Sequence, residues 1–192
     1  MALDDEQGLL ARIAAGDDDA LRQLYAAYRP RLWRYLWQLT WGDAMLAEEA
    51  LQDAFVAVWR HAGSYRGDAP VAAWIFRIAH NQAANMLRSR SRRPATLGDP
   101  ALLEGESAEP LVWPETAAIE RLTLEDALRH LSPKHREALE LVFAAGFSCD
   151  EAARVLDVPV GTVKSRLHAA RKALAAWLRA ETETREEVSR DV

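Results

Sequence analysis

Residues 131–174 read LSPKHREALELVFAAGFSCDEAARVLDVPVGTVKSRLHAARKAL, and this stretch decides the fold. Ser148 precedes an apolar-periodic run and Glu151 follows three residues later, the spacing of a capping box that opens a short helix. That helix carries Ala152, Ala153, Val155 and Leu156 and is predicted to stop at Asp157-Val158-Pro159. Proline disfavours the helical state at Val158 and then suits the first turn of a second helix, from about Val160 to Arg179. On a helical wheel Val163, Leu167, Ala170, Leu174 and Trp177 form one apolar seam. Gly161, Ser165, His168, Ala169 and Lys172 lie opposite it, flanked by Lys164 and Arg171. Val158 to Arg179 holds five Lys/Arg and no acid. A short helix, a tight turn and a basic second helix suit the major groove of duplex DNA. A solvated helix with scattered charge is the plainer alternative, which the capped helix and the turn before it disfavour.

The whole chain has 192 residues, room for one or two domains, and a net charge of −5. That charge opposes general nucleic-acid affinity, but its distribution is uneven. Asn85 to Pro94 holds Arg88, Arg90, Arg92 and Arg93 without an acid, whereas Asp99 to Asp126 holds eight acids against Arg121. Local basic surfaces can therefore touch DNA while the chain as a whole stays discriminating. No apolar run approaches the length of a membrane span, and MALDDEQ is not a signal-peptide start, so no membrane insertion and cytoplasmic residence are expected. The lone Cys149 cannot form an internal disulfide, and the five histidines show no metal-ligand spacing. With no phosphate loop, nucleophile elbow or paired-carboxylate signature, an enzyme using Cys149 or a histidine finds no support, and no metal or cofactor is expected.

Upstream, helices are expected over Leu3 to Gly16, Asp18 to Trp41 and Ala44 to Ala62. Asp17 to Asp19 cap the second, Pro30 is expected to interrupt it, and Trp33, Trp37 and Trp41 read as core packing. In the third, Ala47, Leu51, Ala54, Phe55, Val58, Trp59 and Ala62 form the apolar side, and Glu49, Gln52, Asp53, Val56 and Arg60 the other. Gly63 to Pro70 is a loop exposing Tyr65 and Arg66. Val71 to Ser91 is a fourth helix, buried along Ile75, Ile78, Ala79, Ala83 and Met86. Its other side carries Trp74, Arg77, Asn81, Ala84, Asn85 and Arg88. That stripe offers stacking and hydrogen bonding to bases and charge to the backbone, which favours single-stranded nucleic acid over a merely polar surface. Arg92 to Pro114, with four Pro and two Gly, reads as a flexible linker. Glu115 to Leu131 is expected to be helical, Ser132 to cap the helix that Pro133 opens, and the tail after Arg179 to fray. The expected fold is all-α: two small helical units on a tether, able to read two DNA sites at once.

At this point the chain resembles the extracytoplasmic-function (ECF) group of RNA polymerase sigma factors. The resemblance rests on AEEALQDAFVAVW (Ala47 to Trp59), AWIFRIAHNQAANMLR (Ala73 to Arg88), LSPKHREALELVF (Leu131 to Phe143) and VPVGTVKSRLHAARKAL (Val158 to Leu174). With their flanks these cover most of residues 15 to 178, in the family's order. The resemblance implies region 2 over residues 1–91, a linker over 92–114, region 4 over 115–179 and a charged tail over 180–192. It implies a factor that binds core RNA polymerase, directs it to promoter DNA and helps open the duplex, commonly under an anti-sigma factor. Glu49, Gln52, Asp53 and Val56 match the family's core-polymerase docking face. Tyr65, Arg66, Trp74, Arg77, Asn81, Asn85 and Arg88 match the melting and minus-ten segment, where an unstacked base enters a pocket built by the loop. Thr162, Lys164, Ser165, Arg166, His168 and Arg171 match the minus-thirty-five helix, although Arg166 lies near the apolar seam. The chain departs from the family at Leu46, often an acid, and at Ala169, often basic. A second reading stays open here: a free-standing helix-turn-helix regulator with an N-terminal sensor or dimerisation unit, which would bind duplex tightly without polymerase.

Overall fold

A computed structural model describes residues 3–92 and 127–190. The expected linker after Arg92, and the helix expected over Glu115 to Leu131 as far as residue 126, lie outside the described residues. Among the described residues every regular element is helical.

The N-terminal unit comprises α1 (Leu3–Ala14), α2 (Asp18–Leu39), α3 (Ala44–His61), a 3-10 turn (Ala62–Ser64) and α4 (Val71–Arg92). Asp17 caps α2 by accepting hydrogen bonds from the backbone N–H groups of Asp19 and Ala20 at 2.9 and 3.1 Å. Those bonds, that of Ala20 first, and the Arg12 side chain hold its carboxyl below the usual range. Pro30 does not end α2, because Leu24, Tyr28, Leu32, Tyr35 and Leu36 are buried on either side of it. That burial outweighs the roughly 3 kcal/mol cost of an interior proline. Trp41 and Gly42 turn the chain with φ of +61° and +84°, and Asp43 then caps α3 through the Leu46 N–H. The core-packing expectation for the tryptophans fails at Trp41, which is 51% exposed, while Trp33 and Trp37 stack on each other at 5.3 Å, half-buried. The left-handed turn swings Trp41 away from the seam that the helical repeat would have assigned it. Leu46 is buried in the core, so its departure from the family pattern lies off the surface of α3.

The C-terminal unit comprises α5 (Pro133–Leu139), a π-helical turn (Glu140–Ala144), α6 (Cys149–Leu156) and α7 (Val160–Arg190). Ser132 precedes α5, but its hydroxyl makes no capping bond; its carbonyl accepts from His135 and Arg136 instead. Gly146, at φ +75°, reverses the chain into the capping box of α6, where Ser148 and Glu151 bond reciprocally. Replacing Ser148 with alanine is expected to cost about 1 kcal/mol, read as a lower urea midpoint with an unchanged slope. An unchanged midpoint would contradict the capping role. Asp157 ends α6 in the left-handed region at φ +53°.

The expected end of the last helix at Arg179 is corrected: α7 continues to Arg190.

A larger difference concerns how the units relate. They are not held apart but share one buried core. Phe76 of α4, fully buried, meets Phe147 edge-to-face at 4.9 Å, with the Arg31 guanidinium over both rings. Arg31 donates to the Ala145 carbonyl at 2.6 Å, and Arg34 to that of Ala144. Arg136, buried in α5, donates to the Gln38 carbonyl and lies 3.9 Å from the centre of the Trp41 ring. Arginines thus reach backbone carbonyls at the end of α2 and at the end of the π-helical turn.

Candidate nucleic-acid and polymerase interfaces

The polar side of α3 is where the wheel put it. Glu49, Gln52, Asp53, Val56 and Arg60 are exposed, whereas Ala47, Leu51, Ala54, Phe55, Val58 and Ala62 are buried and Trp59 half-buried. Glu48, at the border, lies 3.8 Å from Arg29. Val56 adds an exposed apolar side chain between carboxylates and amide, a mixed surface suited to a protein partner rather than to DNA.

The loop and α4 build a cavity of about 240 Å³. Ser64, Tyr65, Arg66, Asp68, Trp74 and Arg77 line it, with Arg154 reaching in from α6. Tyr65, Arg66, Trp74 and Arg77, which the resemblance groups in one segment, thus meet in one concavity. Tyr65 is half-buried, not exposed as expected: its ring meets Trp74 edge-to-face at 5.5 Å and its hydroxyl donates to the Ala69 carbonyl at 2.6 Å. Burial pushes its phenol pKa up, so the proton stays. The loop is thereby pinned and the indole held at a fixed angle, with Gly67 at φ +78° supplying the bend. Beyond the cavity Asn81, Asn85 and Arg88 continue an exposed stripe along α4, and Arg88 donates to the Asn85 side chain at 2.5 Å. Two contacts had no sequence signal: Arg154 donates to the Asp68 carbonyl, and Arg77 lies 3.3 Å from the Asp157 carboxylate.

On α7, Val163, Leu167 and Ala170 are buried, with Leu174 and Trp177 half-buried, as the seam predicts. Lys164, Ser165, His168, Arg171 and Lys172 are exposed. Thr162 is half-buried, and the Ser165 hydroxyl donates to its carbonyl at 2.9 Å. The Arg171 guanidinium lies 5.3 Å from the Phe143 ring. Arg166 is half-buried and acts electrostatically on Glu137 and His80, a neighbour-facing position consistent with its place near the seam.

His80 sits at the join and shares a 2.9 Å hydrogen bond with the Tyr35 hydroxyl. Burial first, then the Arg166 and Arg88 charges, lower its pKa from 6.5. The stabilising contribution of its neutral form is therefore present above pH 6.5 and lost as pH falls through the lowered value. Burial raises Glu137 and Glu140, whose contributions run the opposite way, lost as pH rises above their ordinary 4.5 through the raised values. Both carboxyls are kept in a His80→Gln variant, so comparison with it isolates the imidazole. Wild-type stability is expected to fall more than the variant's between about pH 7.5 and about pH 5.5. Parallel denaturation midpoints at both pH values would contradict this.

Among the described residues no group of His, Cys, Asp and Glu could hold a metal ion, and no helix is long and apolar enough to cross a membrane. The site is thus two exposed polar helix faces and a loop-built concavity. Comparison with known proteins matches residues 24–93 to the Sigma-70 region 2 family and residues 121–174 to Sigma-70, region 4. The chain is 36% identical over 167 residues to the ECF RNA polymerase sigma factor SigL of Mycobacterium tuberculosis, covering 86% of this chain and 92% of SigL. It is 33% identical over 179 residues to the RNA polymerase sigma-H factor of Pseudomonas aeruginosa, covering 89% and 92% of the two chains. Among solved structures, CnrH in complex with the cytosolic domain of CnrY superposes with a TM-score of 0.66 at 27% identity, over 92% of this chain and 98% of that one. The sigma factor RpoE, in complex with the anti-sigma factor NepR from Bartonella quintana, gives 0.61 at 26% identity, over 82% and 96%. The chain belongs to the ECF group of RNA polymerase sigma factors, DNA-binding initiation factors that direct core polymerase to promoters.

Proposed function

We propose that the three surfaces divide the sigma factor's work between the two units. Glu49, Gln52, Asp53 and Val56 dock on core RNA polymerase. Tyr65, Arg66, Trp74, Arg77, Asn81, Asn85 and Arg88 melt the promoter and read the minus-ten element as single strand. Thr162, Lys164, Ser165, His168 and Arg171 meet the minus-thirty-five element in duplex, with Arg166 reaching phosphate or a neighbouring helix. Residues 1–91 act as region 2, 92–114 as the linker and 115–179 as region 4. The chain itself catalyses nothing, works in the cytoplasm and is held in check by an anti-sigma factor, as RpoE is bound by NepR.

The carrying observation is the cavity of about 240 Å³ that gathers Tyr65, Arg66, Trp74 and Arg77. A base leaving the duplex loses stacking and needs an aromatic wall and hydrogen-bonding groups in return. Trp74 supplies the wall, Arg66 and Arg77 supply charge for the strand, and the pinned loop keeps the concavity open. The test is run-off transcription with purified core polymerase on genomic promoter fragments. Start sites that depend on this chain are expected. No initiation, together with no association with core, would sink the reading. Replacing Gln52 and Asp53 together with alanine should weaken core association by about tenfold, if each contact is worth on the order of 0.7 kcal/mol. Both residues are exposed, so the melting temperature should hold. A collapse in helicity would mark the face as packing instead.

A further inference from the structure

We propose that α1 positions the minus-ten pocket: it braces the loop of Gly63 to Pro70 from behind, with Gln7 as the positioning residue for Tyr65 and, through Tyr65, for Trp74. This rests on the pocket reading given above.

The match to region 2 runs over residues 24–93, so α1 precedes it. The amphipathic pattern of α1 fixes where it sits. Leu9, Leu10 and Ile13 are buried in the N-terminal core, while Gly8, Ala11 and Arg12 are exposed. The helix cannot leave the bundle without returning those three side chains to water. Beyond that seam it packs on the 3-10 turn, Ala62–Ser64, from which the pocket loop departs. A Cβ at Gly63 would stand 3.6 Å from that of Ala14, ordinary contact distance, so the turn and the end of α1 lie side by side.

Two turns earlier on the same helix, the Gln7 amide donates a hydrogen bond to the Tyr65 hydroxyl. That hydroxyl itself donates to the Ala69 carbonyl at 2.6 Å. A phenol has one donor and spare acceptor capacity, so both bonds are held at once. Burial keeps the proton in place, and the nearby Glu6 and Asp68 charges act in the same direction. The Tyr65 ring then meets Trp74 edge-to-face at 5.5 Å, and both line the cavity. The contacts are contiguous: amide on hydroxyl, ring on indole, indole on the pocket. The two bonds have different work. The one to Ala69 stays inside the loop and holds its shape. The one to Gln7 comes from outside the loop and sets where that shape sits on the bundle. Gln7 lies outside the cavity lining, so it acts through Tyr65 and not on the strand.

A double-mutant cycle tests this. Gln7→Leu keeps the length and helix propensity of the side chain and removes the donor, and the position is exposed, so folding is preserved. With holoenzyme at saturating concentration on a promoter mapped by the run-off assay, permanganate reactivity of unpaired thymines should fall about 2- to 10-fold, the scale of one neutral hydrogen bond. Association with core should stay at the wild-type level. Tyr65→Phe keeps the ring against Trp74 but loses both hydroxyl bonds, and it should open at most as well as Gln7→Leu. In the Tyr65→Phe background Gln7→Leu should cost nothing further, because the hydroxyl through which it works is gone. Full opening by either single variant, a Gln7→Leu loss that adds to that of Tyr65→Phe, or an equal fall in core association would each overturn the inference. Trp74→Ala then separates the two ideas. If it fails to open the promoter, the pocket reading stands without the brace; if it opens fully, the pocket reading falls and the brace with it.

Discussion

Replacing Trp74 with alanine is expected to lower promoter opening by about 5- to 150-fold, the equivalent of about 1–3 kcal/mol for one lost stacking contact. The indole is half-buried against Tyr65, whose hydroxyl is tied to Ala69, so the aromatic wall is held before any base arrives. A preorganised wall loses little entropy on binding, which places this loss at the level of opening rather than of core association. Permanganate reactivity of promoter thymines, with holoenzyme at saturating concentration, reads the effect. Trp74→Phe keeps an aromatic face and should recover much of it. Full opening by the alanine variant would remove Trp74 from the reading surface. A matching fall in core binding would show that the substitution damaged the fold instead.

The second large effect is on stability. Phe76→Ala is expected to cost about 3–5 kcal/mol, because the ring is fully buried between Tyr35 and Phe147 and its loss leaves a cavity that both units line. That is a large share of the roughly 5–15 kcal/mol typical of a folded domain. Urea denaturation followed by circular dichroism reads it. A loss below about 1 kcal/mol would mean that the units do not share the core around Phe76.

Much of this was legible from periodicity. The seam of Val163, Leu167 and Ala170, the capping box of Ser148 and Glu151, and the two sides of α3 all follow from helical spacing and local bonding. Such features depend on residues within a turn or two of each other, where sequence distance and spatial distance agree. The residues expected to read the minus-ten element were also visible as a set, and the resemblance implied a pocket built by the loop, but not the lining that Arg154 of α6 adds, which depends on how the two units pack. The join between the units left still less trace. It is made by Arg31, Arg34, Arg136 and Arg154 reaching backbone carbonyls, and a carbonyl carries no residue identity. Phe76 sat unassigned on the α4 wheel, beside the apolar stripe, because its partner Phe147 comes from the other unit. Trp41 misled because a left-handed turn intervenes, and the length of α7 misled because a charged composition by itself sets no helix end.

The most direct measurement is a combined footprint of wild-type holoenzyme on a mapped promoter, with hydroxyl radical for backbone protection and permanganate for unpaired thymines. Two patches are expected: a protected duplex stretch upstream, lost when Lys164 and His168 are both replaced with alanine, and unpaired thymines downstream, lost in Trp74→Ala. Protection upstream with no unpaired thymines, or opening that neither variant alters, would contradict the division of labour drawn here.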